Sequence, residues 1–183
     1  MRLFVGLDLP GAIVQKMGAA IDKLRPTAPE LRWSPVENLH ITTKFIGSWP
    51  DERLDELKAV LAQIRMSPFE VQIGGFGWFP NPHAPRVFWA GVNGGDALRA
   101  LASTTDAATA ALGIEKETQP YRPHLTLARV SHGSDIRQLR GAVADLDDTN
   151  WGQFEARSFF LYQSKTTPAG SVYTKLAEVA LAT

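Results

Sequence analysis

The 183-residue chain contains no cysteine and carries no formal net charge. The absence of cysteine excludes disulfides, a thiolate zinc site and a cysteine nucleophile. The balance of 19 basic against 19 acidic residues disfavours a protein that coats long nucleic acid, but it allows one that grips a single phosphate. No hydrophobic run approaches the ~20 residues of a membrane span, and the first residues are too polar for a signal peptide. We therefore expect a soluble, cytoplasmic protein that does not contact a membrane.

Hydrophobic spacing predicts strands and helices that follow the same order in both halves of the chain. Strands are predicted at residues 2–8, 39–46, 69–74, 86–92, 124–130, 154–163 and 171–180. Helices are predicted at 11–24, from Asp51 through Ile64, from Asp96 to the residue before Gly113, and at 134–146. Residues 75–85 are predicted as a loop because they hold three prolines and two glycines.

The two halves of the chain also repeat at a nearly constant offset. The repeated pairs lie 84 or 85 residues apart: Gly6 and Gly91, His40 and His124, and Val87-Phe88 and Val172-Tyr173. One domain over residues 1–183, made of two pseudo-symmetric lobes, would explain this offset, with the C-terminal strand returning to the first or second lobe. The alternative is a chance alignment of two α/β stretches of similar length.

Two of the four histidines lie in the same His-x-Thr pattern, one in each half of the chain. Alternate residues of a strand point to the same face, so His40 shares a face with Thr42, and His124 with Thr126. The opposite faces, directed to the core, would carry Ile41, Phe45, Leu125 and Leu127. If a pseudo-twofold relates the halves, the two His–Thr faces meet across one groove.

Such a groove has the groups that phosphodiester cleavage requires. One imidazole can remove a proton from the attacking oxygen while the other protonates the departing oxygen, and both transfers suit a pKa near 6.5. Threonine hydroxyls can donate hydrogen bonds to phosphate oxygens. A zinc site is the competing interpretation, but two histidines fall short of its three or four ligands. His83 and His132 lack a partner pattern and are expected at the surface.

The two motif strands and their flanks resemble a known family. Asn38 to Gly47 and Arg122 to Arg129 are closely similar to the paired motifs of the 2H phosphoesterases, and within them to the RNA 2′,3′-cyclic phosphodiesterase branch (LigT-like, ThpR). The similarity extends to Arg2–Leu9, Trp33-Ser34-Pro35, Phe79-Pro80, residues 86–89 and residues 159–173. Thr43 departs from the family pattern, because an apolar residue is usual at that position.

The resemblance implies a bilobal α+β fold in which two antiparallel sheets flank a central cleft and helices lie outside. It implies hydrolysis of RNA or nucleoside 2′,3′-cyclic phosphate ends to a 2′-phosphate, with a 2′-5′ RNA ligase side activity known in some members. The matching catalytic positions are His40, Thr42, His124 and Thr126. No cofactor and no metal are expected, and we expect a monomer.

Six further residues are predicted to bind the substrate. Arg129, Arg122 and Lys44 are candidates to contact phosphate, and Trp33, Phe79 and Tyr121 to stack on a terminal base. For each aromatic residue taken alone, packing in the core or a loop is the favoured alternative. By strict alternation Arg129 falls off the His124 face, and Arg122 and Lys44 could equally be solvated charges at the rim. For the proton transfers, His124 as base and His40 as acid is the preferred order.

Two rival functions share these residues. A binding module could hold RNA ends without turnover, although binding alone does not need a proton-transfer pair. A related 2H enzyme could act on another cyclic or 2′-5′ linked nucleotide through the same histidines and threonines.

Overall fold

The computed structural model describes every residue from Met1 to Thr183. The strands are β1 (Arg2–Leu7), β2 (Arg32–Trp33), β3 (Ile41–Ser48), β4 (Phe69–Phe79), β5 (Val87–Asn93), β6 (His124–Arg129), β7 (Asn150–Ala156), β8 (Ser158–Thr167) and β9 (Gly170–Ala180). The helices are α1 (Gly11–Leu24), α2 (Leu54–Ala62), α3 (Gly95–Ala110) and α4 (Arg137–Ala144). Short 3₁₀ turns lie at Arg25–Thr27, Val36–Asn38 and Asp51–Arg53.

The strands form two antiparallel sheets. The first sheet has the order β3-β1-β8-β9, and the second has the order β2-β6-β5-β4-β7. Strand β1 is therefore paired with β3 on one side and with β8 on the other, so both C-terminal strands join the sheet that the N-terminus begins. The expected α+β fold with two antiparallel sheets is confirmed.

Helices cover the faces of the sheets that form the core. Helix α1 buries Ile13, Met17, Ile21 and Leu24, which recur at the helical spacing seen in the sequence, and Pro26 follows its last turn. Helix α1 packs against β7 of the second sheet, and α3 packs against β3 of the first sheet and β4 of the second. No helix is both long and apolar enough to span a bilayer.

Each motif strand contains a β-bulge just after its threonine. In β3, Gly6 pairs with Thr42 and Val5 with Lys44, which leaves Thr43 as an extra residue. In β6, Leu127 is extra in the same way, because its neighbours Thr126 and Ala128 pair with consecutive residues of β5. A bulge inserts one residue into the alternation, so the residues that follow it change faces. In β3 this change lasts until a second irregularity at Ile46.

The bulges decide which side chains share the face of the histidines. Two consecutive residues in each strand are buried, Thr43 and Lys44 in β3 and Leu127 and Ala128 in β6. The next residues, Phe45 and Arg129, are exposed and return to the face that carries the threonines. Strict alternation predicts that Phe45 and Arg129 lie on the face opposite the histidines, and this prediction is wrong.

The second sheet extends further than its sequence indicated. Strand β4 runs to Phe79, although residues 75–85 were predicted as a loop. Its glycines have a packing role, because a Cβ on Gly77 would lie 2.1 Å from the indole ring of Trp89 on the neighbouring strand. The strand predicted at 154–163 is two strands, β7 and β8, which belong to different sheets.

The strand pairing matches residues of the two halves differently from the 84- or 85-residue offset in the sequence. Thr42 pairs with Gly6, whereas the matching Thr126 pairs with Trp89, so Gly6 corresponds in register to Trp89 rather than to Gly91. Strand β9, which carries Val172-Tyr173, is an edge strand, whereas β5, which carries Val87-Phe88, is central. The two pseudo-symmetric lobes stay a prediction.

Candidate active site

Both motif histidines are fixed by the same backbone contact. The Nδ1 atom of His40 lies 2.7 Å from the carbonyl oxygen of Asn38, and Nδ1 of His124 lies 2.8 Å from that of Arg122. Because a carbonyl oxygen can only accept a hydrogen bond, Nδ1 carries the proton in each neutral ring. Each Nε2 is therefore left with a lone pair that can take up a proton.

His40 lies in a cage of aromatic rings on the first sheet. Its ring centroid is 4.5 Å from that of Phe4 and 5.2 Å from that of Tyr173, and its Nε2 atom is 2.9 Å from Oγ1 of Thr42. The contact with Thr42 confirms that the two side chains share a face. Burial lowers the pKa of His40, and the charge of His124 lowers it further, against the opposing effects of the Asn38 carbonyl and Asp8.

His124 lies beside aromatic rings on the second sheet. The ring of Phe79 meets it edge-on, with centroids 5.0 Å apart, and the ring of Trp89 is 6.5 Å away. Burial lowers the pKa of His124, and so does the positive charge of Arg129, while the hydrogen bond to the Arg122 carbonyl opposes the change. Both rings are therefore held toward the neutral form in the free protein.

One residue of each motif lines a common cavity, whereas His40 and Thr126 are not among its lining residues. A cavity with a volume of about 640 Å³ is lined by Thr42 from β3 and by His124 from β6. Phe45, Phe79, Tyr121 and Arg122 also line it. The cleft therefore contains groups from both motifs, three aromatic side chains, two arginines (Arg99 and Arg122) and the Lys44–Asp106 ion pair.

Arg129 belongs to the site because of the bulge in β6. Beyond Leu127 the alternation is reversed, so the Arg129 side chain lies on the same face as His124 and Thr126. The effect of its charge on the pKa of His124 agrees with this placement. Arg129 can therefore place a positive charge beside a phosphate held between the motifs.

Lys44 lines the cavity, but its ammonium group is already bound by a carboxylate and a backbone carbonyl, which disfavours the predicted contact with phosphate. Its side chain is only 2% exposed, and Nζ lies 2.8 Å from Oδ1 of Asp106 and 2.7 Å from the carbonyl oxygen of Glu115. The bulge after Thr42 directs this side chain toward Asp106 of α3 instead of along the face of His40 and Thr42. The contacts of its ammonium group link β3 to α3 and to the segment that leads into the second motif.

Trp33 has the alternative role, core packing, and not that of a stacking platform. Its ring packs edge-on against buried Phe88 at a centroid distance of 6.0 Å, and its Nε1 donates to the Ala28 carbonyl at 2.8 Å. These contacts direct Trp33 to the core face of the second sheet. Its neighbour Arg32 therefore lies on the cleft face.

Phe79 and Tyr121 do line the cleft, as predicted for base-stacking residues. The Tyr121 hydroxyl donates to the backbone carbonyl of Thr42 at 2.8 Å, which joins the approach to the second motif to the first motif strand. Burial raises the pKa of Tyr121, so the hydroxyl stays protonated and remains a donor.

Phe45 is a cleft residue that strict alternation missed. It is 52% exposed, one of two large hydrophobic side chains exposed to this degree, and the Arg2 guanidinium lies 5.5 Å from its ring centroid. This exposed aromatic ring lines the same cavity as Phe79, so it is a second candidate surface for stacking on a base. The only sequence signal was an aromatic residue five positions after His40.

The remaining polar groups give no cluster of metal ligands. No group of three or more His, Asp or Glu side chains lies close enough together to hold an ion. His83 and His132 are exposed, as predicted.

Comparisons with known proteins agree with this geometry. The family model described as the 2′-5′ RNA ligase superfamily matches residues 13–167. The chain belongs to this superfamily. A relative from Archaeoglobus fulgidus, named RNA 2′,3′-cyclic phosphodiesterase, is 33% identical over 96% of this chain and 98% of its own length. A protein of the same name from Aeropyrum pernix is 33% identical over 91% and 96% of the two chains.

Solved structures that are similar over nearly the whole chain have the same fold. A protein from Thermus thermophilus superposes with a TM-score of 0.79 at 30% identity, over 99% of this chain and 98% of that chain. E. coli LigT complexed with 3′-AMP superposes with a TM-score of 0.80 at 27% identity, over 98% and 97% of the chains. The resemblance to 2H phosphoesterases, found in the two His-x-Thr motifs, is confirmed.

Proposed function

We propose that this superfamily member hydrolyses the 2′,3′-cyclic phosphate at the end of an RNA or on a nucleoside, and that it releases a 2′-phosphate. The observation that carries the proposal is the matched pair His40 and His124. Each ring has Nδ1 bound to a carbonyl two residues earlier and Nε2 available for proton transfer. The relatives named RNA 2′,3′-cyclic phosphodiesterase support the same substrate class.

The proposed reaction is an in-line displacement at phosphorus. Water forms the new P–O bond while one Nε2 accepts its proton, and the bond from phosphorus to the 3′ oxygen breaks. The other imidazole, protonated when the anionic substrate binds, gives its proton to that oxygen. A 2′-phosphate and a free 3′ hydroxyl result. His124 as base and His40 as acid stays the predicted order.

The remaining cleft groups stabilise and orient the phosphate. Hydroxyls of Thr42 and Thr126 donate to its non-bridging oxygens, and the Thr42 hydroxyl exchanges its contact with His40 for this role. Arg129 supplies positive charge, with Arg122 at the cleft rim. The terminal base stacks on Phe45, Phe79 or Tyr121, and such stacking is worth about 1–3 kcal/mol per base.

The reaction as proposed needs neither a metal nor a cofactor, because the two imidazoles supply both proton transfers. A binding module without turnover is not favoured, since recognition alone would not need two such rings. We also propose that the enzyme is a cytoplasmic monomer, and light scattering behind size-exclusion chromatography would test its oligomeric state.

The test compares turnover of adenosine 2′,3′-cyclic phosphate by wild type, His40→Ala and His124→Ala in EDTA. We expect each variant to lose about 10²–10⁴-fold or more in kcat, as for a removed general acid or base. His83→Ala is the matched control, because His83 is exposed and outside the cleft. Wild-type turnover by a variant that lacks either motif histidine would refute the proposal, and so would loss of wild-type activity in EDTA.

A further inference from the structure

An arginine outside the two motifs lies next to the proposed phosphate site. Arg32 of the edge strand β2 pairs in register with Arg129 of β6. Residues directly opposite one another share a face of the sheet, with Cβ atoms about 5 Å apart. Since Arg129 lies on the cleft face with Thr126, the Arg32 side chain also projects from that face.

Neither arginine has an anionic partner. The ion pairs of the protein involve other cations, and neither guanidinium is among the donors of the side-chain hydrogen bonds. Both side chains are exposed. Like charges directly opposite each other in a sheet are destabilising, and an anion held between or beside them removes that cost.

The backbone of Arg32 is held firmly although it lies at a sheet edge. The next residue, Trp33, is anchored by its core contact with Phe88 and by its hydrogen bond to Ala28. The Ser34 N–H donates to the Leu127 carbonyl at 2.8 Å. The Arg32 side chain thus starts from a fixed position beside Arg129.

The order of the strands places Arg32 one step beyond the reacting phosphate. His124, Thr126 and Arg129 are on β6, and Arg32 is on the strand outside it, at the edge of the sheet. An anion at Arg32 is therefore the neighbour of the reacting phosphate. In an RNA that ends in a cyclic phosphate, that neighbour is the phosphodiester on the 5′ side of the terminal nucleotide.

We propose that Arg32 binds this 5′ phosphodiester and makes RNA ends better substrates than free cyclic mononucleotides. The proposal rests on the proposed function, because it takes the cyclic phosphate to lie at the two histidines. Arg32 would then determine substrate specificity, and β2 would provide a second phosphate subsite.

The test uses two substrates that differ by one group. These are adenosine 2′,3′-cyclic phosphate with a 5′ hydroxyl and the same nucleotide with a 5′ phosphate. We expect wild type to prefer the 5′-phosphorylated form, and Arg32→Gln to lose about tenfold in kcat/KM on that form, as for an exposed charge-assisted hydrogen bond. On the 5′-hydroxyl form the variant should stay within twofold of wild type. Arg65→Gln, at an exposed position before β4, is the matched control.

Two results would overturn the subsite. An equal loss on both substrates would mean that Arg32 contacts the reacting phosphate, and no loss on either would make it a solvated surface charge. Calorimetric binding of adenosine 2′,5′-bisphosphate and adenosine 2′-phosphate gives a readout that does not need turnover. If wild type turns over neither substrate but Arg32→Gln weakens only the bisphosphate, the proposed function fails and the subsite stands. If bisphosphate binding is unchanged in the variant, the subsite fails.

Discussion

Replacing Lys44 with methionine should destabilise the protein by removing one side of a buried ion pair. Methionine keeps most of the apolar stem but leaves the Asp106 carboxylate without its ammonium partner at 2.8 Å. Removing one partner of a buried pair costs about 3–5 kcal/mol. Asp106 keeps 19% side-chain exposure, so we expect a loss in the free energy of unfolding near the low end, about 3 kcal/mol.

Urea unfolding at pH 7 of wild type, Lys44→Met, Asp106→Asn and the double variant measures this pair. The double-mutant cycle should give a coupling energy of at least about 1 kcal/mol, because each single variant removes the ion pair between Lys44 and Asp106. The Lys44 ammonium keeps its contacts with Glu117 and the Glu115 carbonyl, and Asp106 keeps the hydrogen bond from the Glu117 N–H. Lys165→Met is the matched control at an exposed lysine without an ion pair, and it should change stability by less than about 0.5 kcal/mol. A Lys44→Met cost below about 1 kcal/mol, or additive single effects, would refute the reasoning.

The ion pair between Lys44 and Asp106 also predicts how the stability of the protein changes with pH. Burial alone would raise the pKa of Asp106, but hydrogen bonds from Lys44 and from the Glu117 N–H lower it overall. A carboxyl whose folded pKa is lowered stabilises the protein above its unfolded pKa of about 3.9 and loses that contribution as pH falls through the folded value. The stability difference between wild type and Lys44→Met should therefore shrink below about pH 4.

Three further outcomes are expected. Phe45→Ala should leave stability within about 1 kcal/mol because the ring is 52% exposed, while kcat/KM falls about 5- to 150-fold if a base stacks on it; unchanged kinetics would contradict this. Gly77→Ala should lower stability by about 1–3 kcal/mol, measured by thermal unfolding, because its Cβ would overlap the Trp89 ring. The acid limb of kcat/KM should lie below pH 6.5, because burial lowers the pKa of both His40 and His124 and a base must be neutral to act; a limb above pH 7 would contradict it.

The sequence was sufficient for the parts of the site that depend on local spacing. His40 with Thr42 and His124 with Thr126 needed only the two-residue period of a strand, and the structure brings residues of both motifs to one cleft. The helix of residues 11–24 was predicted with its observed bounds, because Ile13 to Leu24 recur at helical spacing and Pro26 stops it.

The bulges explain the residues that were misplaced. The extra residue after each motif threonine turned Lys44 toward α3 and brought Phe45 and Arg129 to the face of the threonines. A bulge is set by the pairing with a strand that is distant in sequence. Neither Thr43 nor Leu127 is a glycine, which would have indicated a bulge in the sequence. The two-residue period of a strand therefore predicts the wrong face for the residues after the threonines, although both segments are strands as predicted.

Long-range packing also determined the second sheet. The glycines of β4 indicated a loop, but Gly77 is needed so that the Trp89 ring can lie over the strand. Strand β2 has only two residues, too few for a periodic signal, and it forms only by pairing with β6. The aromatic identity of Trp33 could not distinguish a core contact with Phe88 from a base-stacking surface.

The identity of the product tests the central claim most directly. Purified protein in EDTA would be incubated with a short RNA that ends in a 2′,3′-cyclic phosphate, and the phosphate isomer would be assigned by ³¹P NMR. The account predicts a 2′-phosphate with a free 3′ hydroxyl, formed by wild type and lost in His40→Ala and His124→Ala. A 3′-phosphate product, or a 2′-phosphate formed equally well without either histidine, would contradict it.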